Sequence, residues 1–143
     1  MDEQIRQAIL LLENQWEPKD IEFEVVLDEV NYNGNETMLL QVWNNLIGNA
    51  IKFSPESSMV RIMLKEADDQ IICSIDDEGP GISEEEAKHI FDKFYQTDSS
   101  HKQEGNGLGL ALVKRIVALT DGQVLVENLP KAGCRFTVIL YKR

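Results

Sequence analysis

Asn45, Asn49 and Lys52 lie four and three residues apart within Gln41-Val-Trp-Asn-Asn-Leu-Ile-Gly-Asn-Ala-Ile-Lys-Phe53. On a helix turning about 100° per residue, Gln41, Asn45, Asn49 and Lys52 share one flank. Leu39, Val42, Trp43, Leu46, Ala50 and Phe53 form an apolar stripe beside it. Two carboxamides and an ammonium stacked along the border of a core can face a ligand. An ordinary amphipathic helix with its polar side in water explains the same pattern, so the rest of the chain has to decide.

Two glycine-rich segments add a second kind of chemistry. Asp76-Asp-Glu-Gly-Pro-Gly-Ile82 follows an alternating apolar run, and Gly105-Asn-Gly-Leu-Gly109 opens an apolar helical one. Backbone N–H groups at a helix start, with no Cβ in the way, can cradle a phosphate chain at the positive end of the helix dipole. The second segment imitates a dinucleotide-binding fingerprint, with Glu127 as the acid about 20 residues on. It fails because the spacing is Gly-x-Gly-x-Gly and because a polar stretch, not a buried strand, precedes it. No Gly-Lys-Ser/Thr follows any glycine, so a Walker-type phosphate loop is absent.

The elements that must position these residues follow from periodicity. Ile5, Ala8, Ile9, Leu12 and Trp16 recur at helical spacing from an Asp2 cap, which predicts one helix over roughly residues 2–16 ended near Pro18. Ile21, Phe23, Val25 and Leu27 predict a half-buried strand, with a short further strand at Val30 and Tyr32. A helix from about Glu36 to Phe53 is stopped by Ser54-Pro55. Met59 to Lys65 and Gln70 to Asp76 read as an antiparallel hairpin, and Ser83-Glu-Glu-Glu86 as a capping box opening a short helix. Residues 96–106 are polar and aperiodic, the mark of a lid. The helix opening at Gly107 is apolar nearly all round, which predicts deep burial, and closes at Thr120-Asp-Gly122. A second hairpin, Gln123 to Glu127 and Cys134 to Tyr141, completes an α+β, two-layer sandwich: a mixed, mostly antiparallel sheet with helices on one face.

Residues 1–143 are enough for one domain with a real core and too few for two. Cys73 and Cys134 sit in apolar runs without metal-ligand or redox spacing, so both are expected to be reduced core residues of a cytosolic protein. The longest apolar run, Ala8 to Leu12, falls far short of the roughly 20 residues of a membrane span, and no signal-peptide pattern opens the chain. The net charge of −11 argues against sequence-independent binding to nucleic acid or to an anionic membrane. An anionic ligand must therefore be held by local cations, backbone N–H groups or a metal ion.

Taken in order, these segments resemble the catalytic ATP-binding domain of sensor histidine kinases, with its Bergerat fold, over roughly residues 36–140. Asn45-Leu-Ile-Gly-Asn-Ala-Ile-Lys-Phe-Ser54 resembles the family's N box and Asp77-Glu-Gly-Pro-Gly81 its G1 box. Phe91-Asp-Lys-Phe-Tyr95 resembles the F box and Gly105-Asn-Gly-Leu-Gly-Leu110 the G2 box. Any one box is weak evidence, but four in this order at compatible spacings are specific.

The resemblance implies ATP and Mg²⁺ as ligands. Asn49 takes the position that holds Mg²⁺, where a neutral carboxamide oxygen suits a hard ion shared with phosphates. Asn45 and Lys52 would face the same phosphates, and these three are the catalytic candidates. Asp77 would accept the adenine amino group, favouring adenine over guanine. Gly79, Gly81 and Ile82 would lie against the nucleotide, Gly105, Gly107, Leu108, Gly109 and Leu110 would follow its phosphates under the lid, Phe91, Phe94 and Tyr95 would hold the lid base, and Lys93 would add a cation near the phosphates.

Two departures matter. Related hydrolases of the wider family carry a water-activating Glu where this chain has Asn45, so transfer to a nucleophile from elsewhere is expected over efficient hydrolysis. Cys134 stands where the closing strand usually has Thr, and a thiol bonds more weakly than a hydroxyl. Nothing resembles the phosphoacceptor H box; His89 and His101 read as structural or solvent-exposed, and residues 1–17 as a junction helix from a dimerisation domain. The expectation is a monomeric catalytic fragment, the cytoplasmic part of a membrane-bound sensor kinase. It would donate the γ-phosphoryl of Mg-ATP to a histidine on a separate dimerisation domain and thereby serve a response regulator. An ATPase or serine-kinase relative, or a catalytically silent nucleotide-binding module, is the alternative.

Overall fold

The computed structural model describes residues 1–93, 95 and 108–142. The elements run α1 Asp2–Leu11, α2 Glu13–Trp16, β1 Glu22–Leu27, α3 Glu36–Phe53, β2 Met59–Glu66, β3 Gln70–Asp76, α4 Glu84–His89, α5 Gly109–Leu119, β4 Gln123–Asn128 and β5 Cys134–Tyr141. The five strands form one sheet in the order β1-β2-β3-β5-β4. β1 pairs with β2 in parallel and all other neighbours are antiparallel, so the sheet is mixed and mostly antiparallel, as expected.

The parallel pair makes β1–α3–β2 a crossover unit, which lays α3 across the sheet. α3 is the centre of the helical layer. Asn35 opens it by accepting the Met38 N–H at 3.0 Å, and Lys19 Nζ closes it by donating to the Ile51 carbonyl at 2.8 Å. Leu39, Val42, Trp43, Leu46, Ile47, Ala50 and Ile51 are buried. This stripe is wider than the sequence indicates because α1 and α5 both pack against α3 while the sheet lies beneath it. Val60, Ile62, Leu64, Ile71, Cys73, Ile75, Phe136, Val138 and Leu140 supply the sheet's side of the core. The opposite face is open, and Glu24–Arg61 and Asp76–Arg135 ion pairs cross it between neighbouring strands.

Four expectations are corrected. The first helix is broken at Leu12, whose φ of −97° and ψ of 10° end α1 and start α2. The carbonyl of Ile9 then accepts the Trp16 indole N–H at 2.8 Å, and Trp16 turns edge-on to Phe23 of β1 with centroids 5.4 Å apart. Asp2 is not a cap: it is the first helical residue, and its Oδ1 accepts the Val30 N–H at 3.1 Å. Val30 and Tyr32 form no strand, because that loop crosses to α1 and buries Val30 there. α5 is not buried all round: Val113, Ile116 and Val117 face the core, while Leu119 is exposed, because only one side of α5 meets α3 and β4.

Leu46 is fully buried between the helices and the sheet. Leu46→Ala is expected to lower unfolding stability by about 2–5 kcal/mol, read from the midpoint of a urea titration at unchanged slope.

Candidate functional site

Asp77 follows β3 directly, and its N–H donates to the Cys134 carbonyl at 3.0 Å, adding one rung between β3 and β5 beyond their paired residues. Its carboxylate is almost wholly buried, at 4% exposure of the residue. Oδ1 accepts two backbone bonds, from Gly79 N–H at 2.8 Å and Cys134 N–H at 3.2 Å. Oδ2 has no hydrogen-bond partner among the described residues. Burial raises the Asp77 carboxyl above the ordinary carboxylate range, and the two backbone bonds pull it only partly back. A buried acceptor held this firmly selects a ligand with an N–H donor.

Asp77 lines a cleft of about 360 Å³, counted with the part open to solvent. Phe53, Ile82, Ile90 and Phe136 make apolar walls, and Asn49 of α3 and Cys134 of β5 complete the lining with Asp77, Pro80 and Gly81. Such a space suits a flat heteroaromatic ring with an exocyclic amine. Burial pushes the Cys134 thiol up to about 11, so it stays protonated. The wall behind Asp77 requires Gly133: its φ is +92°, and a Cβ there would lie 1.9 Å from the Asp77 carbonyl oxygen.

Asn49, Asp77, Gly81 and Ile82 are thus brought together, and Gly79 joins them through its bond to Asp77. The Asn49 carboxamide has no hydrogen-bond partner among the described residues. Asn45 does not line the cleft: Nδ2 donates to the Gln41 carbonyl at 2.8 Å, and Oδ1 lies over Gly109 at the start of α5. Lys52 lies in a separate groove with Lys19, Ser54, Glu78 and Pro80, its Nζ 5.5 Å from the centroid of the Phe53 ring. Leu108 and Gly109 start α5, whose first N–H groups meet no capping side chain among the described residues, and Leu110 packs against the core.

Phe91 stands edge-on to Phe136 at 6.2 Å, with Lys114 Nζ 5.6 Å from its ring centroid. Lys93 is exposed, and the Tyr95 ring lies 5.6 Å from that of His89. His89 Nδ1 lies 2.9 Å from the Asp92 carboxylate and Nε2 3.3 Å from that of Glu85. Phe94, Gly105, Gly107, His101 and the 96–106 lid lie outside the described residues.

Sequence reasoning missed Ile90 and Phe136 as cleft walls and Gly133 as the support for Asp77. Alternation marks Phe136 as core in either case, and Gly133 looks like any turn glycine. Only the pairing of β3 with β5 brings both to Asp77.

Residues 34–143 match the family described as "Histidine kinase-, DNA gyrase B-, and HSP90-like ATPase". The heme sensor protein HssS of Staphylococcus saprophyticus is 40% identical over 124 residues, which is 87% of this chain and 26% of that protein. The chain therefore spans about a quarter of the length of such relatives. Among solved structures, the mycobacterial sensor histidine kinase MprB superposes with a TM-score of 0.91 at 31% identity, covering 99% of this chain and 95% of that one. The histidine kinase ThkA, solved in complex with the response regulator protein TrrA, superposes with a TM-score of 0.83 at 26% identity, covering 100% and 40%. No described helix is long and apolar enough to cross a membrane.

Because its pKa is raised in the fold, ionised Asp77 costs stability above that pKa, and the cost vanishes below the unfolded-state value. Asp77→Asn should therefore melt higher than wild type at neutral pH, with the advantage shrinking as pH falls through the folded-state pKa, read by calorimetry across a pH series. Gly133→Ala should cost about 1–3 kcal/mol in urea unfolding, since positive φ and the Asp77 carbonyl both oppose the methyl.

Proposed function

The chain belongs to the family of histidine kinase-, DNA gyrase B- and HSP90-like ATPases, and from that premise we propose that it binds Mg-ATP and donates the γ-phosphoryl group to a protein histidine. The observation that carries this reading is the nearly buried Asp77, whose Oδ2 has no partner among the described residues and which lines one cleft with Asn49, whose carboxamide likewise has no partner among them. Adenine fits the first, its amino group donating to Oδ2 and its faces lying between Ile82, Ile90, Phe53 and Phe136. Asn49 suits Mg²⁺. The described residues hold no cluster of three or more His, Cys, Asp or Glu able to cage a metal, which fits an ion bound by one carboxamide, water and phosphate oxygens. When bound, the ion supplies charge neutralisation on the phosphates.

The chain's own residues position and exclude. The N–H groups opening α5 start beside Asn45 Oδ1 and would face the phosphates, and the apolar walls would keep water from the base. Asp77 is the only carboxylate among the described lining residues, and it is committed to the base. Asn45 is neutral and bonded to its own helix, so no described residue at that place can activate water. That supports a donor over a hydrolase. In the transfer, the bond from the β–γ bridging oxygen to the γ-phosphorus breaks as a nitrogen–phosphorus bond forms; ADP leaves and the imidazole gives up its proton. The acceptor is a histidine on a dimerisation domain preceding residues 1–17, a response regulator takes the phosphoryl next, and the domain works in the cytoplasm as a monomeric unit. Lys52 stays outside the proposed metal shell, because its Nζ lies over Phe53 in the neighbouring groove.

The test supplies labelled Mg-ATP to this chain with and without the dimerisation domain of its full-length protein. Acid-labile, alkali-stable label on that domain is expected, absent with Asn49→Ala, and steady ATP turnover by the chain alone without such label would overturn the kinase reading. Asp77→Asn is expected to weaken ATP binding about 10- to 100-fold by calorimetry, as loss of a charge-assisted hydrogen bond implies; unchanged binding would remove Asp77 from the adenine site.

A further inference from the structure

Ile82 walls the cleft but belongs to no strand or helix, so its backbone groups need partners from elsewhere. One side chain takes both. Asn128 Oδ1, at the end of β4, accepts the Ile82 N–H at 2.9 Å, and Asn128 Nδ2 donates to the Ile82 carbonyl at 2.6 Å. A carboxamide carries donor and acceptor in one plane, so it stands in for the peptide edge of a neighbouring strand. The same Oδ1 lies 3.7 Å from Cys134 Sγ, and it would lie 2.8 Å from a Cβ at Gly81, whose φ is +80°. The next residue, Ser83, is the N-cap of α4 and is closed by a capping box with Glu86. The turn from Asp77 to α4 is thus pinned through Gly79 on Asp77 Oδ1, through the Glu78 carboxylate on the Met59 N–H, and through Ile82 on Asn128.

We propose that Asn128 is a positioning residue for the nucleotide base. By acting as the backbone partner of Ile82, it sets the height of the Ile82 wall above Asp77 and so the width of the slot the ring enters. Asp at this position keeps the acceptor and loses the donor. Ala loses both and opens space beside Gly81. The proposal rests on the nucleotide-site reading, and its effect falls on the base and not on the phosphates.

The experiment combines amide exchange by NMR on the nucleotide-free chain with calorimetric titration of ADP and of Mg-ATP into wild type, Asn128→Ala and Asn128→Asp. In Asn128→Ala the Ile82 amide should exchange at least about tenfold faster, and both nucleotides should bind about 5- to 30-fold more weakly by the same factor, as expected for two solvent-edge hydrogen bonds acting on a shared base. Asn128→Asp should keep the Ile82 amide protected and fall between the two in affinity. It also serves as the folded variant if the alanine form does not fold. Unchanged Ile82 exchange, or unchanged nucleotide affinity despite lost protection, overturns the positioning role. A loss confined to Mg-ATP also overturns it, because a base wall cannot distinguish ATP from ADP. If wild type binds neither nucleotide while Ile82 protection still depends on Asn128, the site reading has failed and the positioning role goes with it.

Discussion

A carboxylate taken out of water needs partners, and Asp77 finds them in the backbone and not in a cation. One oxygen accepts the N–H groups of Gly79 and Cys134, which come from two segments far apart in the chain. That pairing dictates much around it. The Gly79 turn must fold back onto its own preceding residue, β5 must begin where its first N–H can reach β3, and Gly133 must be bare so that the Asp77 carbonyl can lie against it. The cost of burial is visible in the raised Asp77 pKa, which the two bonds do not cancel.

The second constraint is topological. Parallel pairing of β1 with β2 obliges the chain to cross over between them, and α3 is that crossing. Its C-terminal half therefore ends beside the start of β2, near the end of β3, and this is how Asn49 and Phe53 reach the cleft that Asp77 and Ile82 form from the other side. On the side away from β2, β3 pairs with β5 and not β4, so the closing strand brings Cys134 and Phe136 to the same place. Three segments distant in sequence meet at one end of the sheet. β4 completes the arrangement from its edge position, where Asn128 lends its side chain to a loop that has no strand to pair with.

Residue order alone carried a large share of this. Alternation in Met59 to Lys65, Gln70 to Asp76 and Cys134 to Tyr141, and the 3.6-residue period from Glu36 to Phe53, follow from side-chain geometry one or two turns away, so the strands and the central helix were legible. So were the capping box at Ser83 and the glycines beside Asp77. The break at Leu12 was not, because it depends on Trp16 meeting Phe23 and on the Ile9 carbonyl accepting the indole N–H. The expected strand at Val30 failed for the same kind of reason: Asp2 supplies the hydrogen bond that a ladder would have offered.

Local chemistry in the chain thus specified which groups can serve a ligand: an acid, two carboxamides and glycines at turns. Which of them share a cleft depended on strand order and crossover, quantities with no local signature. Asn45 and Asn49 are one turn apart on the same flank, yet only Asn49 lines the cleft; Asn45 donates to the Gln41 carbonyl of its own helix, and its Oδ1 lies over Gly109. Lys52 is one turn further and lies behind the Gly79–Pro80 turn. Periodicity places residues on a helix face, but the packing of that helix against distant strands assigns each position on the face its neighbour, and with it any chemistry it can perform.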